Sequence, residues 1–161
     1  MTCYNRYSYL LRSIKSLFNC NFDEPTKLYL FDDNSEDPKV KKLLESLGSK
    51  DNLEVNLTFN KKNIGCDPNM LLSIKEAFDN TDDNFVITTD SDAIYNPEWY
   101  NNLKKRTLEV KEKIAGVSTF NTPAHPIIKE YNEHLVEKQS LGGFALAISR
   151  DLFDQIPSNQ P

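Results

Sequence analysis

Apolar residues recur along this chain in two alternating rhythms. Tyr7, Leu10, Leu11, Ile14, Leu17 and Phe18 fall three and four apart, the spacing of one face of an amphipathic helix. Lys27-Leu28-Tyr29-Leu30-Phe31 then reads as a buried strand that runs into Asp32-Asp33-Asn34-Ser35. Helical spacing returns over residues 38–47 through Val40, Leu43, Leu44 and Leu47, and Gly48 stops it. Leu53 to Phe59 alternates apolar and polar side chains, as a strand does. A helix is predicted from about Asn69 to Phe78, and Phe85 to Thr89 is an apolar strand that ends on Asp90-Ser91-Asp92. Pro97 opens a further helix through Trp99, Leu103 and Leu108, while Ala115 to Phe120 and Gly143 to Ser149 are two more strand candidates.

Strands separated by helices imply right-handed crossovers. The expected fold class is therefore α/β: a single three-layer α/β/α domain over residues 1–161, with a mainly parallel sheet covered on both faces. In such sheets ligands sit beyond the carboxyl ends of the strands. Thr2-Cys3-Tyr4, Asp32-Asp33 and Asp90-Ser91-Asp92 all occupy predicted strand ends, so they are expected to line one crevice.

Composition narrows the class of function. With 161 residues, 39% of them hydrophobic, the chain can build one domain with a real core. A net charge of −5 speaks against a nucleic-acid binder, since Lys61-Lys62 and Lys104-Lys105-Arg106 are too short to form a dense basic patch. No run approaches a membrane span, and Met1 to Arg6 has neither the basic start nor the apolar stretch of a signal. Cys3, Cys20 and Cys66 are far apart and lack CxxC spacing, which argues against a disulfide framework or a zinc site. A reducing, cytoplasmic setting is expected.

The chemistry concentrates at Asp90 and Asp92. Residues i and i+2 of a strand point to the same side, so both carboxylates can face one ion where the strand ends. Hard oxygen ligands suit Mg²⁺ or Mn²⁺, ions usually held by one or two carboxylates plus the phosphates of a substrate. The expected ligand is a metal diphosphate. Aspartates that merely end a strand and cap the next turn are the competing reading.

Several segments, taken in order, resemble one family. They are Thr2-Cys3-Tyr4-Asn5-Arg6 ahead of a helix ending in Ser16-Leu17, then Phe31-Asp32-Asp33-Asn34-Ser35-Glu36-Asp37, then Asn63-Ile64-Gly65 with Asn69. Thr89-Asp90-Ser91-Asp92, Pro97-Glu98-Trp99 and Leu141-Gly142-Gly143-Phe144-Ala145 with Ser149-Arg150 follow. Together they resemble the nucleotide-sugar glycosyltransferases of the GT-A fold, especially the large inverting family 2, over nearly the whole chain. The resemblance implies that Thr2 and Tyr4 contact the nucleobase, where an aromatic face can stack. It implies that Asp33 accepts a hydrogen bond from the base imide while Asp32 supports the loop, and that Asn63 and Gly65 form a turn beside the nucleotide. Asp90 would reach the ribose or a bridging water, Asp92 would ligate Mn²⁺ or Mg²⁺ directly, and Gly142 and Gly143 would lie on the acceptor side. Tyr4 as a packing residue, Asp32 in an Asx turn, Gly65 as a plain loop glycine and Trp99 in the core of its helix are the local alternatives.

The implied reaction is attack by an acceptor hydroxyl on the anomeric carbon of a nucleotide-activated sugar, with a UDP-sugar as the expected donor. Glycan, lipid, protein and small-molecule acceptors all stay open, as does a homo-oligomer. An inverting enzyme also needs a carboxylate as general base. In the family this base follows the Gly-Gly strand, whereas here Pro161 comes soon after it and the first residues lie inside the family's first strand. A shortened version, or a partner that supplies what is absent, is expected. Asp151, Asp154 and Glu137 are candidate bases, although Asp151 fits a helix start, Asp154 an exposed face, and Glu130, Glu133 and Glu137 the helical spacing of a solvated face. His125 is a candidate near the diphosphate and His134 invites a similar reading, against the ordinary outcome of a surface histidine.

Two rival functions remain. A reduced, non-catalytic nucleotide-sugar-binding module would explain the missing base motif. Val86 to Asp92 also resembles the first motif of haloacid-dehalogenase-type phosphatases, with Asp90 as nucleophile, but it lies past the midpoint of the chain. An EF-hand over Asp79 to Asp90 fails, because Asn84 stands where the loop needs glycine.

Overall fold

The layering follows from the alternation of side chains in one strand, β2 (Thr26–Asp32). Leu28 and Leu30 join a buried cluster with Leu10, Ile14 and Leu17 of α1 (Tyr7–Leu17) and Val40 and Leu44 of α2 (Pro38–Glu45). Phe31, fully buried, lies on the other side, against α3 (Cys66–Asp79). A parallel sheet with helices on both faces results. In the computed structural model, residues 1–109, 116–119, 122–133, 135–141 and 144–156 are described.

β1 (Thr2–Cys3), β2 and β3 (Leu53–Phe59) form a parallel sheet in the order β1-β2-β3. The register sets Cys3 level with Asp32, and Asp32 level with Phe59. β4 (Phe85–Ile87) and β5 (Gly116–Ser118) flank β8 (Leu146–Ser149), and both run antiparallel to it. A parallel bridge from Thr2 to Asp90 joins the two sheets, so the order reads β3-β2-β1-β4-β8-β5. The mainly parallel expectation holds for the first half, with β8 as the antiparallel exception. α4 (Trp99–Glu109) and the short α5 (Arg150–Phe153) complete the described helices. Among the described residues no helix is long and apolar enough to cross a membrane.

Local signals account for the helix starts. Asp37 caps α2 by accepting from the Lys39 amide at 2.9 Å, and Pro38 takes the first helical position. α3 begins three residues earlier than its apolar spacing predicts. Gly65, at φ 91°, turns the chain into that helix with a backbone conformation that side chains strongly disfavour.

One element was missed. Residues predicted to carry a helical face, Glu130, Glu133 and Glu137, lie instead on or beside an antiparallel hairpin of β6 (Ile127–Asn132) and β7 (Leu135–Lys138). The i, i+3 spacing of the acids misled because every β6 residue is exposed, leaving no buried stripe to reveal a period of two. His134 lies outside the described residues, as do Gly142 and Gly143.

Candidate active site

The carboxyl ends of β1 and β2, and Asp90 beyond β4, converge on one edge of the sheet, and backbone hydrogen bonds carry the ladder past the strands. The Asp33 amide donates to Cys3 O at 2.9 Å, and the Asn60 amide donates to Asp32 O at 2.9 Å. Thr2, half-buried, stands level with both Phe31 and Asp90, and Tyr4 is exposed just beyond it.

Asp32 and Asp33 are both buried, and each organises a loop. Asp32 accepts from the amide and hydroxyl of Ser35. The Ser35 hydroxyl in turn accepts from the Asn5 amide at 2.7 Å, while Asn5 Oδ1 accepts from the amides of Glu36 and Asp37. Asp33 draws in the loop after β3: Oδ1 accepts from Asn60 Nδ2 and the Ile64 amide, and Oδ2 from the Gly65 amide, each at 2.9 Å. Asn63 Oδ1 shares that Gly65 amide at 3.1 Å. Asn60 Nδ2 also donates to Oδ1 of the buried Asn69 at 2.9 Å. The predicted residues Asp33, Asn63 and Gly65 thus belong to one hydrogen-bonded turn.

Asp90 and Asp92 meet differently from the strand geometry expected of them. β4 ends at Ile87, Asp90 makes a single bridge, and Ser91-Asp92 form a turn, so a turn and not the strand period sets the pair. The Asp90 backbone is pinned: its carbonyl accepts from Ser13 Oγ at 3.0 Å and from Tyr95 Oη at 2.8 Å. Burial, and then the neighbouring Asp92 charge, push the Asp90 carboxyl above the usual carboxylate range. Asp92 is solvent-facing and pairs with the Arg6 guanidinium at 2.8 Å. Asn5 and Arg6 both adopt left-handed backbone, at φ 51° and 52°. Two successive non-glycine residues there cost about 1–2 kcal/mol each, offset in part by the bonds of Asn5 to the Asp32 loop.

Arg6, Ser13, Asn60 and Tyr95 are the site residues that sequence reasoning missed. A polar residue on the buried stripe of α1 was the available signal for Ser13. Arg6 stood in the Thr2-to-Arg6 segment of the resemblance, but nothing in the one-dimensional pattern gave it a role.

Among the described residues, no group of three or more His, Cys, Asp or Glu converges on a metal position. Two mutually repelling carboxylates fit an ion that completes its shell with phosphate and water oxygens, not one caged by protein alone. A cavity of about 700 Å³ is lined by Thr2 and Asp90 at the acidic edge and extends past Leu28, Phe85 and Tyr100 toward the amino ends of the strands, while Asp33 and Asp92 do not line it.

The candidate bases separate. Ser149 is level with Phe85, so Asp151 and Asp154 sit at the opposite end of β4 from Asp90, about 16 Å away at strand rise. Neither can reach a reaction at Asp92. Glu137 lies on β7, in the hairpin that falls between β5 and β8 in the chain. Its carboxylate accepts from Tyr131 Oη at 3.0 Å. His125 is bonded to Ser140 Oγ at 2.6 Å near the base of the hairpin. Phe144, next to the undescribed glycines, stacks on Tyr95.

No curated protein sequence matches the chain. Among solved structures, the mannosyltransferase PcManGT from Pyrobaculum calidifontis, in complex with GDP-Man and Mn²⁺, superposes with a TM-score of 0.66 at 16% identity, over 95% of this chain and 44% of that one. S. aureus TarS 1-349 gives a TM-score of 0.50 at 21% identity, over 66% of this chain and 29% of that one. The chain therefore spans less than half the length of either, and at these identities the likeness establishes the fold, the GT-A type. The model of glycosyl transferase family 2 matches residues 1–154, which sets the phosphatase reading aside. With the acidic edge, the order of strands and that match in agreement, this chain belongs to glycosyl transferase family 2.

Proposed function

We propose that the chain is the donor-binding domain of a glycosyltransferase that moves a sugar from a nucleoside-diphosphate donor to an acceptor hydroxyl with inversion. The observation that carries this reading is the convergence of Thr2, the Asp33 turn, Asp90 and Asp92 on one sheet edge. Tyr4 and Thr2 offer the base an aromatic face and a hydroxyl. Asp33 rigidifies the turn that carries Asn63 and Gly65. Asp92, with Asp90 behind it, would hold Mn²⁺ or Mg²⁺, which when bound supplies positive charge to the departing diphosphate. The Mn²⁺ and GDP-Man bound to the mannosyltransferase support a divalent ion and a nucleotide-sugar donor here. UDP is the base we expect, with GDP the alternative to be measured beside it.

A second reading, a nucleotide-sugar-binding module without catalysis, is favoured by one observation. Two of the three candidate bases lie at the wrong end of the sheet, and the third is engaged by Tyr131. Calorimetry with UDP and GDP, with and without Mn²⁺, tests the binding; Asp92→Ala should abolish the metal-dependent part while the fold persists. Unchanged binding in that variant would sink the assignment of Asp92. Product detection over a panel of UDP- and GDP-sugars then separates enzyme from binder.

A further inference from the structure

We infer that Arg6 has two alternating partners in this site: Asp92 when the site is free of ligand, and the diphosphate of the bound donor once a divalent ion takes Asp92. The inference rests on the donor-site reading above. Three observations on the chain's own residues carry it. The guanidinium lies 2.8 Å from Asp92 Oδ2, one of the two oxygens of the carboxylate proposed to hold the metal, so Arg6 and the ion draw on the same carboxylate. Both side chains are well exposed, at 60% and 42%, and exposed pairs of this kind add little to stability. Fold stabilisation is therefore not what the contact is for.

The third observation is the backbone beneath it. Asn5 and Arg6 are held consecutively in left-handed conformation by Asn5 contacts to Ser35, Glu36 and Asp37, the loop that Asp32 fixes. A strained turn anchored to the loop after β2 places a cation at the tip of β4, and the Arg6 side chain also lies over the Tyr9 ring at 4.6 Å. Released from Asp92, a planar guanidinium at this spot presents paired N–H donors to phosphate oxygens, a geometry that lysine does not reproduce.

The test is a pair of titrations on Arg6→Gln, Arg6→Lys and the parent. Free Mn²⁺, followed by electron paramagnetic resonance without nucleotide, should bind Arg6→Gln more tightly than the parent, by up to about fivefold, because a competitor worth no more than a surface ion pair has gone. UDP or GDP with saturating Mn²⁺, followed by calorimetry, should bind Arg6→Gln at least about tenfold more weakly, the loss of hydrogen bonds to a charged group. Arg6→Lys should fall between in both. Opposite signs for the two ligands identify the exchange. Changes in the same direction, or none, would overturn it while leaving donor binding intact, whereas a parent that binds neither nucleotide would overturn the donor-site reading itself.

Discussion

Replacing Asp33 with asparagine should destabilise the protein far more than any change at Asp92, although both are acids at the same sheet edge. Asp33 is 3% exposed and accepts three hydrogen bonds, from Asn60 Nδ2, the Ile64 amide and the Gly65 amide. An asparagine can keep the first two on its single oxygen, but its amide nitrogen then faces the Gly65 N–H, donor against donor. Leaving one buried donor unpaired costs about 1–3 kcal/mol, and the two retained bonds weaken because their acceptor is no longer charged. Asn63 Oδ1, which shares the Gly65 amide, softens the first term. A net loss of about 2–4 kcal/mol follows, which for a chain of this length lowers Tm by on the order of 10 °C. Asp92→Asn loses only an exposed ion pair, worth about 1 kcal/mol at most. Far-UV circular dichroism melts of the two variants, with urea unfolding at matched m-values, measure the gap. If Asp33→Asn melts within 2 °C of the parent (a shift roughly the size of 1 kcal/mol or less), or if the two variants fall equally, the division between loop-holding and solvent-facing acids is wrong.

Two further variants test how the second sheet is held. Arg150 binds three carbonyls, Phe78, Thr81 and Asp83, and lies over the Phe78 ring at 4.6 Å, so it ties α5 to the end of α3. Arg150→Lys cannot span that set and should cost about 2 kcal/mol in urea unfolding, with nucleotide binding preserved. Gly116→Ala would place a Cβ 2.5 Å from Ala147 O, a contact the backbone cannot accept without moving. Separating β5 from β8 should cost about 1–3 kcal/mol, read as a lowered melting temperature; a variant as stable as the parent would show that this pairing is looser than its geometry.

What the sequence disclosed and what it hid divide along a physical line. Elements with one buried face were legible, because burial writes its period into the chain: α1 through Leu10, Ile14 and Leu17, β3 through its alternation, β2 through an unbroken apolar run. The β6-β7 hairpin exposes all of β6 and only half-buries most of β7, so its acids suggested a helix. Residue types in the candidate site were likewise legible, since Asp-Asp and Asp-Ser-Asp at predicted strand ends announce themselves. Their burial was not. The chain places Asp33 and Asp92 in similar local company, and only the register of β1, β2 and β3 decides that one is enclosed by a returning loop and the other left in solvent. Arg6 escaped for the same reason, being joined to Asp92 across 86 positions of sequence.

That difference in burial also fixes where metal dependence should appear. Asp32 and Asp33 spend their charge on amides and hydroxyls of adjacent loops, which leaves the half-buried Asp90 and the solvent-facing Asp92 as the acids of this edge not tied into a loop. A diphosphate brings further negative charge to the same spot. Two like charges 4 Å apart repel by about 1 kcal/mol in water and about 4 kcal/mol at the effective dielectric of a protein surface. Arg6 offsets one of the two carboxylates through its ion pair with Asp92. On the proposed reading, a divalent cation is expected to be needed for the donor to bind, and not only for the bond to break. Removing the ion should accordingly raise the Kd for the nucleotide itself, and a chain whose nucleotide affinity ignored metal while its turnover depended on it would contradict the electrostatics of this edge.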